Sequence, residues 1–145
     1  HSYASIGGQL REITIPGATY VEAHDINNHG DIVGWYNTPQ TSLGFRLKSD
    51  GTLFYPLKAP GYPATVLFGT DDGRSSVGQA PNFEASEAVY FLGNHAAFTY
   101  IFPHLTYNQF TGLNARGLIC GYGFDALNSI NYGYLVRPMI TSQAR

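Results

Sequence analysis

The stretch Asp25-Ile26-Asn27-Asn28-His29-Gly30-Asp31-Ile32-Val33-Gly34-Trp35-Tyr36 decides the fold. Asn-x-x-Gly between two apolar runs is a hairpin connection, with the glycine at the left-handed position. Gly34 interrupts the second strand, and a glycine inside a strand marks a bulge or a close backbone approach. The same plan returns twice. Thr70-Asp71-Asp72-Gly73 precedes a strand from Arg74 to Ala80 that contains Gly78. Leu113-Asn114-Ala115-Arg116-Gly117 precedes a strand from Leu118 to Gly123 that contains Gly121. The glycines that close the turns, Gly30, Gly73 and Gly117, are 43 and 44 residues apart.

Working outward, each hairpin has a proline turn before it. Ile15-Pro16-Gly17, Ala59-Pro60-Gly61 and Phe102-Pro103-His104 place their prolines 44 and 43 residues apart. Proline presets φ and glycine permits φ > 0, so each tripeptide ends one strand and turns into the next. After each hairpin a polar loop leads to Gly44-Phe45, Val89-Tyr90 or Gly133-Tyr134. Three features in one order at one period are the signature of a repeat. The expectation is a single all-β domain over residues 1–145, built from three four-stranded repeats of about 44 residues at 9–51, 52–95 and 96–138, with a tail at 139–145.

Composition agrees with β structure. The 11 Tyr and 9 Phe suit pleated surfaces, and the 17 Gly and 8 Pro suit turns. Charged residues make up 12%, about half the roughly 25% of an average soluble domain. The eight Lys and Arg are scattered singly and the net charge is −2, which argues against a nucleic-acid partner. The longest apolar runs, of about five to six residues, are far short of a spanning helix. A single cysteine, Cys120, leaves no intrachain disulfide. Low charge with abundant Tyr, Asn, Thr and Gly points to an exported protein, extracellular or on the cell surface.

Two architectures fit such repeats: propeller-like blades, or a closed β-trefoil barrel as the alternative. Burial pattern separates them. A barrel strand alternates between core and water. Here Ile32-Val33-Gly34-Trp35-Tyr36, Ala88-Val89-Tyr90-Phe91-Leu92 and Leu118-Ile119-Cys120-Gly121-Tyr122 are apolar on both faces. Strands covered on both faces read in this way. Stacked, propeller-like sheets are therefore expected. Three blades are too few to close a ring alone.

The string Ile13-Thr14-Ile15-Pro16-Gly17-Ala18, the hairpin from Asp25 to Tyr36, and Gly44-Phe45 resemble the HAF-repeat family of extracellular bacterial proteins. The third segment keeps Leu113-Asn114, Gly117, Gly121-Tyr122 and Gly133-Tyr134; the second keeps Pro-Gly. Leu43, Ala88 and Tyr132 stand where that family has its histidine. The resemblance implies an exported, propeller-like β repeat protein and no particular activity.

Candidate site residues are the recurring aromatics. Trp35 and Tyr122 follow the strand glycine, and Tyr20 and Tyr107 each lie four residues after the repeat proline. Aromatic faces beside polar turn residues can stack on sugar rings, with Asn27, Asn114 and Asp31 as hydrogen-bonding neighbours. The same residue types also serve to pack neighbouring sheets. The first functional reading is a non-enzymatic, lectin-like binding module for glycans. Self-assembly into a closed dimer or filament, with the chain itself as partner, is the alternative. A third reading is a copper site at His1, whose α-amine and ring could chelate the metal; otherwise no metal or cofactor is expected. Catalysis has no motif: there is no Gly-x-Ser-x-Gly elbow, zinc motif or phosphate loop.

Overall fold

The computed structural model describes residues 1–138 except Gly7 and Phe83; the expected tail at 139–145 lies outside the described residues. All regular structure among them is β, in thirteen strands. A hairpin of β1 (Ser2–Ile6) and β2 (Gln9–Ile13) comes first. An antiparallel sheet follows, from β3 (Tyr20–Ile26), β4 (Ile32–Asn37), β5 (Ser42–Leu47) and β6 (Leu53–Leu57), paired in chain order. A second meander comprises β7 (Val66–Thr70), β8 (Ser75–Pro81), β9 (Ser86–Leu92) and β10 (Ala96–Tyr100). A third comprises β11 (Tyr107–Leu113), β12 (Ile119–Asp125) and β13 (Ile130–Val136). One parallel bridge, Tyr107 to Ser86, joins the second and third into a seven-stranded sheet.

The sheets are open. No closed barrel forms among the described residues, which corrects the trefoil alternative. The sheets also do not follow the segment boundaries read from the sequence. Segment 9–51 holds β2 to β5, yet β2 pairs back with β1, and the sheet takes β6 from the next segment. The first two meanders therefore draw their last strands, β6 and β10, from beyond the proposed boundaries, while the third ends within its own segment.

Three apolar cores separate the layers. Ala4, Ile13, Ile15, Val21, Ile32, Tyr36 and Phe45 fill the space between the first hairpin and the first sheet. Val33, Leu57, Leu67, Ala80, Val89 and Phe91 lie between the first sheet and the second meander. Val77, Ala88, Tyr90, Phe110 and Ile119 lie between the second and third. Neighbouring residues of β4 thus serve two cores, and so do those of β9. This accounts for their unbroken apolar runs. The β12 strand behaves differently: Ile119 is buried, but Cys120 and Tyr122 on its other face are exposed. Its apolar run is covered on one side only.

Local devices recur between the layers. Ala18 N–H donates to Ile15 O at 3.1 Å, Tyr62 N–H to Ala59 O at 3.2 Å and Leu105 N–H to Phe102 O at 3.2 Å. The third residues of these turns, Gly17, Gly61 and His104, all have positive φ, as type II geometry requires. In the hairpin turns, Asn27 Oδ1 accepts the Asp31 N–H, Asp71 Oδ1 the Ser75 N–H, and Asn114 Oδ1 the Leu118 N–H. The left-handed residues there are Gly30, Arg74 and Gly117. The sequence alignment of Gly73 with the other two glycines is thus off by one residue.

Candidate functional site

The alternation of β3 and β4 places Tyr20, Glu22 and Trp35 on one face, since Glu22 lies opposite Trp35 and Tyr20 opposite Asn37. The Tyr20 and Trp35 rings meet at 5.3 Å between centroids, tilted by 41°. The Tyr20 hydroxyl donates to Glu22 Oε2 at 2.6 Å. That bond to a carboxylate is the main cause raising the Tyr20 phenol above its ordinary value. Glu22 in turn meets His24 Nε2 at 2.8 Å.

The same arrangement is built again on β11 and β12. Tyr107 and Tyr122 stack at 6.4 Å, 30° apart, and the Tyr107 hydroxyl donates to Gln109 Oε1 at 3.3 Å. The four candidate aromatics thus meet in two pairs, one within each hairpin, a pairing that their repeat positions alone did not specify. Each has an oxygen acceptor two residues after the first tyrosine. Tyr20 is 43% exposed and Tyr122 is 40% exposed, so both rings offer surface to solvent. The second meander has Ala64 and Gln79 at these positions and forms no such pair.

The polar partners lie elsewhere. Asn27 sits in the turn at the far end of the β3–β4 hairpin, roughly 20 Å from Tyr20 at the usual strand rise. Its Oδ1 accepts the His29 and Asp31 N–H groups, and its Nδ2 donates to Asp71 O at 2.9 Å. Asn114 Oδ1 is likewise spent on the Arg116 and Leu118 N–H groups. Asp31 is buried, accepts the Ser49 N–H and supports the charge of buried Arg46, whose guanidinium donates to Ser76 Oγ. These three residues hold turns and layers together and do not join the aromatic pairs.

The His1 ring contacts Glu12. Among the described residues, no group of three or more His, Cys, Asp and Glu side chains gathers as a metal site. Cys120 is exposed, with Sγ 3.7 Å from both Thr111 Oγ1 and Gly112 O.

The sequence reading missed a cleft beside the third proline turn. It has a volume of about 620 Å³ and is lined by Phe102, His104, Asp125, Asn128, Tyr132 and Tyr134 among others. Phe102 stacks on Tyr134 at 4.4 Å and 21°. The Tyr134 hydroxyl is 2.9 Å from Gln109 O and 3.0 Å from Tyr122 O, and burial pushes its pKa up to about 12. Its only sequence signal was a non-glycine residue, His104, where the other turns have glycine.

Compared with known proteins, the chain matches no family model, no curated protein and no solved structure. What fold and site define is an all-β protein of stacked open sheets bearing two equivalent aromatic pairs.

Proposed function

We propose that this chain is a non-enzymatic, lectin-like carbohydrate-binding protein, working outside the cell or at its surface. One observation carries the reading. The Tyr20–Trp35 and Tyr107–Tyr122 pairs are built at positions offset by 87 residues, each half-open and each tied to a polar acceptor. Core packing alone gives no reason for exposing both. Two weak sites on one scaffold gain avidity for a repetitive glycan. In this reading the meanders are propeller-like blades of a three-fold repeat of about 44 residues, like those of the HAF-repeat family. The recurrence of turns and hairpin caps supports that view.

Trp35 is the only tryptophan, so its emission reports on the first pair directly. Titration with glycans that bind on an array is expected to shift or quench Trp35 fluorescence, and Tyr20→Ala to weaken that binding about tenfold. An array blank at millimolar sugar overturns the reading.

A second reading, self-assembly, is favoured by the open face of the third meander. A Cβ added at Gly44 would meet Leu67 of the next layer at 2.9 Å, whereas one added at Gly133 would meet nothing within 4 Å. Gly44 lies opposite Trp35, and Gly133 lies opposite Tyr122, so the two glycines hold matching places. A face that is covered in the first sheet is bare in the third. The partner that fits it is a second copy of the chain.

A further inference from the structure

Resting on the carbohydrate reading, we propose that the cleft between the Phe102–Leu105 turn and β13 is a third glycan subsite, and that it takes a neutral pyranose. Its volume of about 620 Å³ falls in the usual range for small-molecule sites. One wall is aromatic. Tyr132 and Tyr134 lie two residues apart on β13 and so share a face, with Phe102 stacked on Tyr134. Tyr134 is held by its hydroxyl contacts and its stacking, whereas Tyr132 is 46% exposed and free to receive a sugar face.

The rim is polar and ordered. Asp125 is buried; its Oδ1 accepts the Leu127 and Asn128 N–H groups and its Oδ2 accepts Asn128 Nδ2 at 2.8 Å. The carboxylate is thereby committed to the protein, and it aims the Asn128 amide. The Asn128 oxygen and second amide hydrogen have no partner among the described residues. Among the described residues no Lys or Arg lines the cleft, which disfavours phosphate or sulfate. Asp125, the one carboxylate among the described lining residues, is already engaged, which disfavours a cation. Groups that both donate and accept, around an apolar wall, match a neutral polyol with a C–H face.

His104 supplies the independent signal. Its φ is +69°, in the same turn position where Gly17 and Gly61 have φ of +78° and +83°. A side chain there is strained in a way that glycine is not. Strain of this kind, kept at a cleft rim, points to use by a ligand.

Saturation-transfer NMR with lactose, cellobiose and chitobiose tests the assignment. Transfer to one pyranose ring is expected, with at least tenfold weaker binding in Tyr132→Ala. His104→Gly is expected to raise the melting temperature and still weaken binding severalfold, which separates a ligand contact from a fold defect. If His104→Gly and Tyr132→Ala bind as the parent does while Trp35→Ala does not, the cleft is overturned and the lectin reading stands. If neither these sugars nor an array binds the parent protein, both fall.

Discussion

Arg74 carries a cost that Gly30 and Gly117 do not. All three close the hairpin turn three residues after its Asn or Asp, and all three have positive φ, +68° at Arg74. An L-residue pays roughly 1–2 kcal/mol in that region, and glycine gives back about half of this gain through greater freedom in the unfolded chain. Arg74 is exposed and makes no side-chain hydrogen bond or ion pair among the described residues that would offset the strain. Arg74→Gly is therefore expected to stabilise the protein by about 0.5–1 kcal/mol, read as a higher urea midpoint with an unchanged slope. The sequence hid this position because Asp71-Asp72-Gly73 looks like a complete turn by itself. Hydrogen bonding decides the register instead: Asp71 Oδ1 accepts from Ser75, four residues on, as Asn27 does from Asp31.

At the scale of strands, the informative feature is the pairing of a glycine with a bulge. The β3–β4 ladder skips His24, the β7–β8 ladder skips Phe68, and the β11–β12 ladder skips Thr111. Opposite each bulge a carbonyl leans in: a Cβ at Gly34, Gly78 or Gly121 would lie 2.0, 1.9 or 2.2 Å from the oxygen of Glu22, Val66 or Gln109. Those atoms are backbone and cannot step aside without breaking the ladder. Gly78→Ala is thus expected to cost about 3 kcal/mol or more. Gly112→Ala, where the added atom rests 3.5 Å from Cys120 Sγ, should cost under about 1 kcal/mol. Equal losses in thermal unfolding would contradict the bulge account. This device was legible in sequence because only glycine can fill it, so the residue type repeats. The loop after the second strand of each hairpin was not. Thr38, Asn82 and Asp125 do one job there, accepting N–H groups two and three residues ahead, but they share only an oxygen. The four aromatics were legible through their recurrence, but their pairing needs the β3–β4 and β11–β12 registers; the cleft was not legible, since it depends on a turn meeting a strand distant in sequence.

For the whole molecule, the order of layers matters more than their number. The face of each meander that carries Gly34, Gly78 or Gly121 looks back toward the preceding layer, and the other face looks forward: Val33 into the second core, Val77 into the third. Continuing that order, Cys120, Tyr122 and Leu135 look forward onto no layer among the described residues, and Leu135 is 68% exposed. A contiguous apolar sheet face of this kind marks an interaction surface. Two copies that meet through it make an isologous pair, in which each face covers its own counterpart. The Tyr20–Trp35 pair would stay open in such a dimer, because Tyr20 remains exposed even with the second meander packed on its sheet. Binding at the first pair is therefore compatible with assembly, whereas the dimer would cover Tyr107 and Tyr122, and Gly133 separates the two readings. In an isolated chain, Gly133→Val fills empty space on a strand and gains up to about 1 kcal/mol from β-propensity. In a dimer seated as Leu67 seats on Gly44, the same change drives a side chain into the partner. Sedimentation velocity at two concentrations is expected to show a dimer for the parent and at least tenfold weaker association for Gly133→Val, with no loss in melting temperature at high dilution. A parent protein that sediments as a monomer at both concentrations removes the assembly reading and leaves the forward face of the third meander, with Tyr107 and Tyr122, as free ligand surface.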